Sequence, residues 1–133
     1  MFDVLGKLST LVTAAVEFTR PHPSVPAATD GRRIWIDPKL KRAELRCALA
    51  HEAMHIKHGH TSCQGPAKER QIRLEVAQFL IPFEDLQRVA GWARCPEDMA
   101  EELDVLTEVV IDRLQTLDGD QIQQLWPANE HSA

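Results

Sequence analysis

The stretch Ala48-Leu49-Ala50-His51-Glu52-Ala53-Met54-His55-Ile56 decides how this chain is read. Two histidines stand four residues apart, and a glutamate follows the first. The surrounding apolar positions predict an amphipathic helix from about Leu40 to Lys57. On a helix, positions i and i+4 lie about 40° apart on one face, so two imidazoles there can grip one metal ion. The glutamate, about 100° round the axis, can reach a water at that ion and take its proton. Leu45, Ala48, Leu49 and Ile56 define the expected apolar stripe, with Glu52 inside it and His51 and His55 on its flank. An unpaired carboxylate is costly to bury, which points to a task for Glu52 rather than to packing.

A hydrolytic site of this kind needs a third protein ligand and an open fourth position. A third histidine six residues after His55 would complete one known arrangement. Here Thr61 holds that slot, and Gly59 and His60 are out of register by one. The other arrangement takes a carboxylate from the next helix, predicted over 67–81 and stopped by Pro82. Glu69 and Glu75 are its candidates. Ile72, Val76 and Leu80 line up with Glu69, whereas Glu75 points toward the edge of that stripe. Cys63 is a chemically possible ligand, but helix phase favours Glu69. His51, His55 and Glu69 are therefore the candidate ligands, Zn²⁺ the candidate metal, and Glu52 the candidate catalytic base.

Outward from this centre, Ile34-Trp35-Ile36-Asp37 reads as a strand after a turn at Gly31 and before Pro38. Its place is expected at a sheet edge, where an extended substrate could add to it. Segments 12–18 and 24–28 are its possible partners. Residues 4–18 carry apolar side chains at helical spacing and predict a first helix. Pro21, Pro23 and Pro26 argue against regular structure through about 20–28. Further helices are expected over 84–90, over 97–117 with a break near Asp104–Val105, and over 119–125. The fold class is α+β, mostly helical.

The chain has 133 residues, enough for one domain with its own core. It has no tyrosine, and its net charge of −5 disfavours direct binding to nucleic acid or an anionic membrane. Three cysteines at no paired spacing suit a reducing compartment. Met1-Phe2-Asp3-Val4 places an acid where a secretory leader carries Lys or Arg, so a cytoplasmic location is expected. Charge is uneven. Residues 96–133 hold ten acids against one base, Arg113, while a basic group of Arg32, Arg33, Lys39, Lys41, Arg42 and Arg46 surrounds the strand and the start of the helix. A core over 1–95 and an acidic helical segment over 96–133 packed on it are the expected organisation. The oligomeric state is not legible.

Taken together, Ile34-Trp35-Ile36-Asp37, Leu49-Ala50-His51-Glu52-Ala53-Met54-His55, Gly59-His60, and Glu69 followed by a helix ending Leu80-Ile81-Pro82 resemble the ImmA/IrrE zinc metallopeptidases. More closely, they resemble the short phage and prophage forms of actinobacteria. The resemblance covers about 31–90. It implies a zincin-like domain of the gluzincin type, with a small sheet beside the HExxH helix. It also implies a zinc-dependent endopeptidase whose protein substrate is a helix-turn-helix repressor. Two departures stand out. Arg73 occupies a position often held by Asp or Asn, and with no tyrosine the oxyanion must be held by another group: His60, His58 or an arginine. The alternative reading is a zincin-fold binding protein that sequesters a repressor or host factor without cutting it.

Overall fold

A computed structural model describes residues 14–127 of the chain. Three short strands come first: β1 (Ala15–Glu17), β2 (Ala27–Thr29) and β3 (Arg33–Ile36). Six helices follow: α1 (Arg42–Lys57), α2 (Pro66–Leu80), α3 (Phe83–Ala90), α4 (Pro96–Leu103), α5 (Thr107–Gln115) and α6 (Gly119–Leu125). The fold is α+β, a mostly helical domain with one small sheet.

The sheet runs β1-β3-β2, with β1 parallel and β2 antiparallel to β3. In β3 the side chains alternate. Ile34 and Ile36 are fully buried, while Trp35 turns away and stacks under the Arg33 guanidinium at 4.9 Å. The buried face of the sheet lies against α1. Because β3 is paired on both sides, the expected edge position for Arg33–Asp37 is incorrect, and no substrate strand can add there. Among the described residues the sheet edges are β1 and β2.

The expected helix over 4–18 is also corrected where it can be seen. Ala15–Glu17 is a strand, with Val16 opposite Ile34, and the remainder of that segment up to residue 13 lies outside the described residues. Helical spacing lost to pairing here because the parallel ladder with β3 satisfies backbone groups that a fraying helix end would leave bare.

Buried side chains before and after residue 95 form one cluster. Ile34, Ile36, Leu49, Met54, Ile72, Val76 and Leu86 share it with Met99, Val105, Val110 and Leu125. Two arginines tie the segments together through main-chain carbonyls. Arg113 is buried and donates from Nε to the Ile81 carbonyl at the end of α2, 2.7 Å away. Arg46, one of the basic group at the start of the helix, is likewise buried and donates to the carbonyls of Leu103 and Asp104. Those carbonyls lie at the break between α4 and α5, where Asp104 adopts a left-handed conformation with φ 59°. Arg42 pairs with the Asp104 carboxylate. The basic group around α1 is thus partly consumed by the acidic segment. No helix among the described residues is long and apolar enough to cross a membrane.

Candidate metal centre

Helix α1 presents two rows of side chains. Cys47, Ala50, Ala53 and Met54 are buried in the core. Of the expected stripe, Leu49 is buried with them, whereas Leu45, Ala48 and Ile56, with Glu52 between them, are half-buried. Glu52 therefore lies beside the closed core and is not sealed inside it. His55 is buried, with 3% of its side chain exposed, whereas His51 keeps 29%. The inner ligand candidate is shielded and the outer one faces the opening.

Helix α2 crosses α1 and brings Glu69 to both histidines. Glu69 Oε1 lies 3.1 Å from His51 Nε2 and 3.2 Å from His55 Nε2. One ligand atom from each of the three residues lies within 4.8 Å of the others. Two imidazole nitrogens and a carboxylate oxygen are a donor set suited to a divalent zinc-like cation, so the residues present fit such a metal. The backbone N–H of Gln64 donates to Glu69 Oε2 at 2.7 Å and fixes the carboxylate. Glu75, the other carboxylate candidate, is turned away and accepts from or shares a proton with His58 Nε2 at 2.7 Å. Cys63 is exposed and outside the converging group. Its Sγ lies 3.5 Å from the Gln64 carbonyl, and its thiol also touches Glu69.

His60 sits behind His55, its Nδ1 3.0 Å from His55 Nδ1. The turn that puts it there is written in the sequence. Gly59, with φ 75°, follows the last residues of α1. The His60 N–H then returns to the His55 carbonyl, and the Gly59 N–H to that of Ile56. This is a Schellman ending, which needs a left-handed residue at the glycine position. Of two facing ring nitrogens one carries the proton. If His55 donates from Nδ1, its Nε2 is left as a free lone pair toward Glu69 and the candidate metal position. His60 and His58 are thus both engaged, and Arg73 is the cation that lines the cleft with His51.

Charge states follow from these surroundings. Burial, then the neighbouring His55, holds His51 below the usual imidazole range, so it is a neutral donor near pH 7. Burial and then the charge of Glu69 push the Glu52 carboxyl up to about 7. For Glu69, burial pulls upward, but the Gln64 N–H and the two histidines outweigh it and hold it below the ordinary carboxylate value.

Beside His51 lies a cleft of about 290 Å³ that the sequence did not reveal. Helix α1 supplies Ala48 and Glu44, α2 supplies Arg73 and Val76, and the acidic segment supplies Leu106, Glu108, Val109 and Asp112. Residues separated by some 60 positions meet there, and nothing in local periodicity announces such a meeting.

Residues 12–115 match the Peptidase_M78 family model, described as the IrrE N-terminal-like domain, and the chain belongs to that family. No curated protein and no solved structure matches the chain.

Proposed function

We propose that this member of the IrrE-like metallopeptidases is a zinc-dependent endopeptidase, with His51, His55 and Glu69 as the zinc ligands and Glu52 as general base. The observation that carries the reading is the convergence of the three donors within 4.8 Å, in a chain whose residues 12–115 match the IrrE N-terminal-like family model. Zinc, when bound, supplies Lewis acidity that polarises a peptide carbonyl and makes water easier to deprotonate at neutral pH.

The rest of the work falls to side chains. Glu52 takes a proton from the attacking water and returns it to the leaving amine. A carboxyl pushed up to about 7 suits both transfers, since neither the charged nor the neutral form is out of reach near neutrality. His60 orients His55, and the Gln64 amide orients Glu69, which narrows the positions the donors can take. A helix-turn-helix repressor is the proposed protein substrate. Support for it is the resemblance of the motif series from Ile34 to Pro82 to the ImmA/IrrE enzymes.

The test is to incubate the zinc-loaded protein with the repressor encoded beside its gene. New fragments are expected with the wild type. Glu52→Gln should keep metal and fold and lose cleavage by about a hundredfold or more. Full activity in that variant would refute the base. A stable complex with intact repressor would replace proteolysis by sequestration.

A further inference from the structure

We propose that the cleft beside His51 is a side-chain pocket that selects an aliphatic stem ending in a cation, a lysine or arginine of the bound peptide. The proposal rests on the peptidase reading only in calling the occupant part of a substrate. The shape and charge of the cleft carry the rest.

The lining is apolar where a stem would lie, at Ala48, Val76 and Val109. Burying methylenes against such a wall is favourable. His51 stands on the wall of the same cleft, so a side chain seated in it places its own backbone beside the candidate metal centre. Among the described residues, three carboxylates border the cleft, Glu44, Glu108 and Asp112, against one cation, Arg73. Asp112 is matched by Arg73, whose Nε is 3.9 Å from its Oδ2. Glu44 accepts the Lys41 backbone N–H through Oε1. Glu108 is exposed. Among the described residues neither Glu44 nor Glu108 has an ion-pair partner, and both border the path of an incoming side chain. A long basic side chain fits this pattern, its stem on the apolar wall and its head at the wet rim. A carboxylate would be repelled, and a short aliphatic side chain would leave the acidic rim unused. The acidic segment thereby acquires a role in specificity, because α5 brings Val109, Glu108 and Asp112 to a site whose metal-binding residues lie on α1 and α2.

The experiment uses the zinc-loaded full chain and two small probes of equal shape, n-butylguanidinium and neutral n-butylurea. Amide resonances are followed by NMR during titration. The guanidinium should shift the signals of Ala48, Val76 and Val109 and bind about fivefold tighter than the urea, the ratio expected from ion pairs at a partly exposed rim. In the double variant Glu44→Gln/Glu108→Gln the two probes should bind alike. Glu108→Gln alone, at an exposed position, should reduce the ratio even if the double variant fails to fold. Equal binding in the wild type, shifts confined to other residues, or a preference that survives in Glu108→Gln and in the double variant would overturn the proposal. Cleavage is scored separately with Glu52→Gln as control. Selective guanidinium binding without any peptide cleavage removes the peptidase reading and leaves the pocket. Cleavage without selective binding removes the pocket and leaves the peptidase.

Discussion

Glu69 is gripped from three sides, by His51, His55 and the Gln64 amide, whereas Glu75 spends its carboxylate on His58. This difference yields a sharp expectation at the residue scale. Protein purified without chelator or affinity tag should carry about one zinc per chain. His51→Ala and Glu69→Gln should lose it, and Glu75→Gln should keep it. Elemental analysis of the four proteins checks this, and the reverse order for the two glutamate variants would mean the wrong carboxylate has been chosen. His60 offers a second expectation. Its contact is with the back of His55, so His60→Ala should weaken zinc affinity by about 10–100-fold, the range for losing a group that orients a ligand. Competition against a chromophoric chelator measures it. Unchanged affinity with lost cleavage would instead place His60 at the reacting atoms.

At the scale of the element, the end of α1 matters most. Gly59 has φ 75°, and a Cβ there would meet nothing within 4 Å. The strain of Gly59→Ala is therefore purely conformational, about 1–2 kcal/mol for a left-handed L-residue. The melting temperature should fall by about 3–8 °C, and zinc affinity should fall with it because the same turn carries His60. Gly59→Asn, which tolerates that conformation better, should recover part of both losses. A thermal scan and a zinc titration of the two variants decide, and an unaffected Gly59→Ala would mean the turn does not depend on its glycine. The break between α4 and α5 follows related logic without glycine. Asp104 takes the left-handed position, and its carboxylate and carbonyl engage Arg42 and Arg46.

For the molecule as a whole, the question is what residues 96–127 contribute. Met99, Val105, Val109, Val110 and Leu125 are buried in the same cluster as the strands and α1. Arg113 closes the end of α2 from inside that segment. Charge-assisted hydrogen bonds of this sort contribute about 1.5–3 kcal/mol, and the apolar contacts add to that. Truncation after Gly91 should therefore yield insoluble or unfolded protein, judged by circular dichroism and solubility. A folded truncation with faster cleavage would show that the segment restrains the enzyme; a folded truncation that holds zinc but ignores its repressor would show that it serves recognition alone.

The sequence by itself determined the helices after residue 40 and the side chains that can serve as metal donors. Helix spacing placed α1 and α2 within a residue or two, set Glu69 above Glu75 for the face toward α1, and marked the break at Asp104, since a period of 3.6 is a local property. Strand pairing is not local. β1 and β2 are three residues each, too short for a pattern of their own, and the central place of β3 was settled by which segments reached it. The core-facing row of α1 was only partly legible for the same reason: of the expected stripe Leu49 is buried, Leu45 and Ile56 are half-buried against the core, and Ala48 lines the cleft, distinctions a helical wheel cannot draw. The His55–His60 contact needed the actual path of the chain through Gly59. The cleft beside His51 needed α5 to pack on α2, a contact made by the burial of Val109 and Val110 far along the chain. Only the folded chain decides such meetings, because they follow from which apolar surfaces can be buried together.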